Sequence, residues 1–179
     1  MKIILLGIGG GIAAYKCCDL IHRLKEVGTD VHVMVTASAQ QFVTPLTLQT
    51  LSGHPVHAHL LDLHEEGVIG HIALAERADL VVIAPATANL IARLFAGMSD
   101  DILTAVVCAT KAPIVLCPSM NTHMWENSIT QRNVRGLKEL GFHIIEPATG
   151  NLACGSEGMG RLPEPEEIMK HIMRLLPKT

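Results

Sequence analysis

Short apolar runs alternate with amphipathic stretches along most of the chain. Five runs, Lys2–Leu6, Asp30–Thr36, Leu80–Ala84, Pro113–Cys117 and His143–Glu146, are rich in Val, Ile and Leu and are bounded by turn residues, which predicts five strands. Between the first two, "GIAAYKCCDLIHRLKEVG" repeats apolar residues at intervals of three and four and stops at Gly28, the signature of a helix and its end. "TANLIARLFAG", "DDILTAVVCAT" and "EPEEIMKHIMRLL" predict three more helices. Strands and helices that alternate at this spacing predict an α/β fold, a doubly wound parallel sheet with helices on both faces. One stretch, "GNLACGSEGMGRLPEP" (150–165), carries too many glycines and prolines for a regular element and is expected to be a long functional loop.

Composition narrows the class. At 179 residues and 49% apolar, with few charges, the chain fits one folded domain over 1–179 and excludes a disordered one. Aromatic side chains are scarce, so the core is expected to be aliphatic and rich in methionine, and the low charge density points to a homo-oligomer. A net charge of −3 without a basic cluster argues against nucleic acid as a partner. The apolar amino terminus runs straight into glycines, so it reads as a first strand, not a signal peptide, and no window is long and apolar enough for a membrane span. Five cysteines, an odd number placed mostly in apolar segments, fit free thiols in a reducing cytoplasm.

Four constellations could carry chemistry. "GIGGGIAAYK" (7–16) is a glycine-rich turn between a strand and a helix, where Gly9, Gly10 and Gly11 let backbone amides approach a phosphate. Gly9, Gly11 and Ala14 match a dinucleotide spacing, but strand two ends at Thr36 and Ser38 with no acid for a ribose diol, so a mononucleotide such as FMN fits better than NAD. "APATANLIARLFAGMSDD" (84–101) leaves a strand through Pro85, Thr87 and Asn89 and enters a helix; Thr87 reads first as an N-cap, with the loop as a second wall of the same site. Asp100 and Asp101 open the next helix and complement its dipole. His71 follows Gly70 at a helix start, where the dipole disfavours the cation and leaves a neutral base. His22, His64 and His171 read as solvent-facing. His54, His57 and His59 lie on an irregular stretch without cysteine partners, so no metal is expected. Cys17, Cys18, Cys108 and Cys117 sit in periodic apolar segments and read as core, whereas Cys154 stands in the glycine-rich loop.

Taken together, "GGIAAYK", "FVTPLTLQTLSG", "GHIALAERADLVVIAPATANLIARL", "PSMNTHMW" and "LACGSEGMGRLPEP" resemble, in order and spacing, the homo-oligomeric flavin-containing cysteine decarboxylases, and within them the phosphopantothenoylcysteine branch of coenzyme A biosynthesis. The resemblance covers nearly the whole chain. It implies a flavodoxin-like fold, assembly as a homotrimer or dodecamer, and FMN at the subunit interface. It further implies a substrate ending in an acylated cysteine carboxylate, oxidised at the thiol-bearing carbon to a thioaldehyde, decarboxylated to an enethiol and reduced again. The implied roles are His71 as base or orienter, Asn121 as carboxylate binder with Met120 and Met124 beside it, and Cys154 with Ala153 on a substrate clamp (150–162) as proton donor. FMN would be lined by Gly9, Gly10, Gly11, Thr36, Ser38, Phe42, Pro85, Ala86, Thr87, Ala88, Met98, Ser99 and Asp100.

The sequence departs from the family pattern at Gly9, where a serine or threonine is usual, at Glu76 and Arg77, where a basic residue and a tryptophan are usual, and at Ser119. Competing readings are a peptidyl-cysteine decarboxylase that stops at the enethiol, a flavin prenyltransferase, and a non-catalytic flavin-binding regulator. The Ala153-Cys154-Gly155 motif favours the full cycle. The chain has no room for a phosphopantothenate–cysteine ligase domain, so a separate ligase partner or excision from a bifunctional protein is expected.

Overall fold

A computed structural model describes residues 1–61, 70–151, 155 and 157–176 of the chain. The chain opens with β1 (Ile3–Ile8), a 3-10 turn (Ile12–Tyr15) and α1 (Lys16–Glu26), then β2 (Asp30–Val35), a short 3-10 turn (Ala39–Gln41) and α2 (Pro45–Ser52). There follow α3 (Gly70–Arg77), β3 (Leu80–Ala86), α4 (Ala88–Phe95), α5 (Ile102–Ala109), β4 (Ile114–Pro118), α6 (Thr122–Glu126) and α7 (Ser128–Glu139). The last elements are β5 (His143–Ile144), β6 (Ala148–Asn151), β7 (Glu157–Arg161) and α8 (Pro165–Leu175).

Five strands form one parallel sheet in the order β2-β1-β3-β4-β5, in register from Ile3 opposite Asp30 to Ile8 opposite Val35. The order reverses between β1 and β3, where a doubly wound sheet opens a crevice at the strand carboxyl ends. Both faces are covered. On one, Ile4, Leu6, Val33, Val82 and Cys117 pack with Leu20 and Leu24 of α1 and Ile168 and Ile172 of α8. On the other, Leu5, Val81, Ile83 and Leu116 pack with Leu74 of α3, Ile91 of α4, Leu103 of α5 and Leu137 of α7. Burial on both faces is why the central strands β1, β3 and β4 read as apolar runs without alternation. Among the described residues no helix is long and apolar enough to cross a membrane.

The five expected strands and the flavodoxin-like fold are present. Three helices, α2, α6 and α7, add to those expected; α7 is amphipathic, with Val134 and Leu137 on its buried side. For α2 the signals are local: Thr44 caps its amino end by accepting from the Thr47 amide, Pro45 takes the first helical position, and Gly53 closes it at φ +84°. The helices α6 and α7 begin at Asn121 and Asn127, each side chain capping its own helix.

Two expectations are corrected. The expected long loop is regular at both ends of its glycine-rich part: β6 and β7 pair antiparallel, Ala148–Asn151 against Glu157–Arg161, with Gly150, Gly158 and Gly160 at φ +154°, +156° and +148°, a region glycine enters freely. Glycine there builds the strand geometry instead of breaking it. Cys108 is exposed while Cys17 and Cys117 are buried, because α5 is apolar all round and its periodicity could not mark the outward face. Burial pushes both buried thiols well above the ordinary cysteine range, Cys17 further by its proximity to Cys117, so they are unreactive packing groups. His64, Ala153 and Cys154 lie outside the described residues.

Candidate active site

Three loops meet at the carboxyl ends of β1, β2 and β3. The Gly9 amide donates to the Pro85 carbonyl at 3.1 Å, and a Cβ on Gly9 would stand 2.4 Å from that oxygen. A Cβ on Gly10 would stand 2.2 Å from Ser38 Oγ and 2.9 Å from the Ser38 carbonyl carbon. On Gly11 the nearest atoms, in the Pro85 and Thr87 side chains, are 3.8 Å away, an ordinary contact distance, so a Cβ would fit there without collision. Two glycines are therefore set by the chain's own neighbouring loops, and the third leaves room. The absence of a serine or threonine at Gly9 has a local cause, since any side chain would meet a backbone carbonyl.

The neighbouring hydroxyls divide their work. Thr36 is buried, its Oγ1 accepts from the Ala39 amide at 3.2 Å, and it lies 3.4 Å from Ser38 Oγ. It braces the turn, and Ser38 is the exposed hydroxyl beside Gly10. Thr87 caps α4, as expected, by accepting from the Leu90 amide at 3.2 Å. Beyond α4, Arg93 pairs with both acids: its Nη1 donates to Asp101 at 2.9 Å and its Nη2 to Asp100. That hydrogen bond holds the Asp100 carboxyl below the usual carboxylate range. Asp101 forms a reciprocal capping box with Thr104 at the start of α5. Phe42, Met98, Ser99 and Asp100 are all exposed along this edge.

The fourth loop leaves β4. The Ser119 amide donates to the Ala86 carbonyl at 3.0 Å, tying this loop to the end of β3, and the Met120 amide donates to the Gly160 carbonyl of β7 at 2.9 Å. Asn121 begins α6, its Oδ1 accepting from the His123 amide at 2.9 Å. The hairpin lies directly on this turn: a Cβ on Gly160 would be 2.2 Å from the Met120 carbonyl oxygen, and one on Gly158 would be 2.6 Å from Thr122 Oγ1. The single tryptophan, Trp125, is 5% exposed and its indole Nε1–H points at Met159 Sδ at 3.0 Å. The root of the hairpin is anchored too, because Lys16 of α1 donates to the Leu162 carbonyl at 3.1 Å and to Glu164 at 3.0 Å. Thus the helix that follows the glycine turn also holds the hairpin.

His71 is the second residue of α3, a helix that packs on α5 and whose amino end lies toward the carboxyl ends of the strands. Its Nδ1 is buried and unpartnered, and so is Thr122 Oγ1 beneath the hairpin. A buried ring nitrogen without a partner is the kind of group a ligand completes. The edge also exposes Ile12, Tyr15, Phe42, Leu46, Met98, Met124 and Ile129, an apolar rim around the loops. So the structure gathers Gly9–Gly11, Ser38, Pro85 and Thr87 by contact, and Met120 and Asn121 with β7, while His71 stands on the α5 side. The sequence reading missed Thr122 and Lys16; a lysine in an otherwise apolar helical stripe was the available signal.

Residues 1–177 of the 179 match the Flavoprotein family model. The chain belongs to the Flavoprotein family. Its curated relatives include the coenzyme A biosynthesis bifunctional protein CoaBC of Vibrio vulnificus (strain YJ016), 53% identical over 168 residues, which are 94% of this chain and 42% of the relative. This flavoprotein chain thus spans less than half the length of the relatives it matches. Among solved structures it resembles a cysteine-to-serine mutant of PPC decarboxylase complexed with pantothenoylaminoethenethiol, with TM-score 0.88, 31% identity and 97% of both chains covered. It also resembles the FMN-dependent cysteine decarboxylase SpaF, with TM-score 0.85, 31% identity, and 98% of this chain and 95% of that one covered.

Proposed function

We propose that this flavoprotein binds FMN and decarboxylates 4'-phosphopantothenoyl-L-cysteine to 4'-phosphopantetheine in coenzyme A biosynthesis, a carboxy-lyase reaction passing through a thioaldehyde and an enethiol. The observation that carries this reading is the seating of β7 on the Met120–Asn121 turn, which sets a glycine hairpin over a side-chain amide at the ligand edge of the sheet. The residues fit the cofactor: Gly11 is uncrowded where Gly9 and Gly10 are packed, Ser38 offers a hydroxyl next to Gly10, and the buried Nδ1 of His71 has no partner. Gly9 to Gly11, Ser38, Thr87 and the exposed Met98–Asp100 segment would hold FMN, which supplies reversible hydride chemistry when bound.

In this reading the chain's own groups bind, orient and move protons. The Asn121 amide N–H is a donor suited to a carboxylate, and its Oδ1 is fixed by the α6 cap, which sets the direction of the donor. His71 takes or orients the thiol proton during oxidation. Cys154, in the connection between β6 and β7, returns a proton to the enethiol carbon. The complex of the cysteine-to-serine PPC decarboxylase mutant with an aminoethenethiol supports a cysteine acting after decarboxylation. The exposed apolar rim supports a second copy of the chain packing over the edge, in a homotrimer or dodecamer whose neighbour completes the site with His71. A phosphopantothenate–cysteine ligase, fused or separate, would supply the substrate, and the place of reaction would be the cytoplasm.

Incubating the flavin-loaded protein with phosphopantothenoylcysteine and weighing the product tests the assignment. Loss of CO2 alone supports it. Loss of CO2 and two hydrogens moves the chain to the peptidyl-cysteine type of chemistry, and recovery of unchanged substrate with flavin bound rejects it.

A further inference from the structure

The opposite end of the sheet holds a second constellation. Asp30 and His32 stand two residues apart on β2, so their side chains leave the same face of an edge strand. His54 reaches them from the chain that returns after Gly53 ends α2. The return is fixed by backbone pairing: the His57 amide donates to the Val33 carbonyl at 2.9 Å, and the Val35 amide donates to the His57 carbonyl at 3.0 Å. His54 Nε2 is 2.6 Å from Asp30 Oδ1, and His32 Nε2 is 3.3 Å from Asp30 Oδ2. The two imidazoles stack at 4.2 Å with an interplanar angle of 17°, and the His57 ring lies 6.4 Å from His32.

One donor atom from each of Asp30, His32 and His54 lies within 4.8 Å of the others. Metal–ligand bonds of about 2.0–2.1 Å in a tetrahedral centre place ligand atoms roughly 3.3–3.4 Å apart. His32 Nε2 meets this distance to Asp30 Oδ2, and His54 Nε2 stands closer to the other carboxylate oxygen, Oδ1, so the carboxylate would face the ion with both oxygens and the His54 contact would open. The side chains of His32, Asp30 and His54 are 9%, 18% and 37% exposed, so two donors are inside and the third stands at the opening. Two ring nitrogens directed at one carboxylate must otherwise each carry a proton, and one divalent ion replaces both. Two imidazoles and a carboxylate suit a late first-row metal better than calcium or magnesium.

We infer that Asp30, His32 and His54 form a divalent metal site of the zinc class, clasping the return from α2 onto the edge strand β2. It lies at the strand's amino end, away from the flavin edge, and its role is structural: it pins the chain leading toward α3 and covers part of an edge that would otherwise pair with other strands. The histidines at 54, 57 and 59 suggest no metal in sequence because the set is not built from one loop. Its other ligands come from the neighbouring strand.

The test is calorimetric titration of Zn2+ into the chelator-treated, flavin-loaded full chain, with a thermal melt at each end point. One ion per chain at micromolar affinity or tighter and a raised melting temperature are expected. His54→Gln, at the surface of the cluster, should weaken that ion at least tenfold and remove the thermal response with the flavin spectrum unchanged; His32→Gln should do the same. His59→Gln and Cys108→Ser, on exposed positions outside the cluster, should bind like the parent. A parent without a stoichiometric ion, or a His54→Gln protein that binds and melts like the parent, overturns the site.

Discussion

Two glycine-rich segments stand at the carboxyl-end edge of the sheet, and their glycines do different work. In the turn after β1, Gly9 and Gly10 are required by crowding: the Pro85 carbonyl and Ser38 occupy the space where a Cβ would go. In the hairpin, Gly150, Gly158 and Gly160 adopt φ values between +148° and +156°, and two of them also touch the Asn121 loop. The first segment is locked by its neighbours whether or not a ligand is present. The second is a strand pair that, among the described residues, is seated on the Met120–Thr122 turn by a backbone hydrogen bond, two bare glycine faces and the Trp125–Met159 contact, and is held at its root by Lys16. In the proposed function the first would be a preformed cofactor wall and the second a separately docked clamp.

The comparison breaks most sharply with Gly9→Ala. Its methyl would collide with a backbone carbonyl that cannot rotate away, and overpacking of this kind costs about 1–3 kcal/mol. Purified protein should lose its flavin absorbance and melt several degrees lower. Gly160→Ala should leave flavin bound but unseat the hairpin. Its signature is a red-shifted Trp125 emission and a fall in turnover of roughly a hundredfold, the size of about 2.7 kcal/mol. If Gly160→Ala loses flavin as readily as Gly9→Ala, the two segments are one unit and the distinction fails.

Asn121 sharpens the same contrast on a smaller scale. Asn121→Ala removes both the α6 cap and the amide donor, costing about 1 kcal/mol of stability from the cap. Asn121→Ser keeps a cap, so its melting temperature should stay near the parent's. Both should lose roughly tenfold to a hundredfold in kcat/KM, as expected for one hydrogen bond to a charged group.

The smallest effect concerns the hairpin's root. The hydrogen bond from Lys16, opposed by partial burial and helped by Arg161, holds the Glu164 carboxyl below the ordinary glutamate range. A carboxyl depressed in the folded state adds stability above its unfolded value, near 4.5, and that increment is lost as pH falls through the lower folded value. The melting-temperature gap between parent and Glu164→Gln should therefore be small at neutral pH and close at strongly acid pH. Glu164 is half exposed, which keeps the gap small.

Much of the sheet and part of the site are legible in the amino-acid sequence. The central strands β1, β3 and β4 announce themselves because burial on both faces makes them continuous apolar runs, and β3 is buried at every residue. Thr87 and Asp101 carry cap chemistry in their residue type and position. Pairing between distant segments is what a sequence hides. Nothing at Gly158 or Gly160 says that each will lie against the Met120–Thr122 turn, and nothing at Asp30 says that His54 will reach it. Glycines in a strand look like a loop because their conformational freedom is visible in sequence and their partner is not. The outward face of α5, and with it Cys108, is hidden by a helix apolar on every side.

The most direct test is a mass-spectrometric comparison of products formed from phosphopantothenoylcysteine by the parent and by Cys154→Ser, with flavin content matched. The parent should release a product lighter by CO2 alone, whereas the variant should stop at a species two hydrogens lighter still. If Cys154→Ser yields the same product as the parent at the same rate, the clamp carries no proton donor and the assigned cycle is wrong.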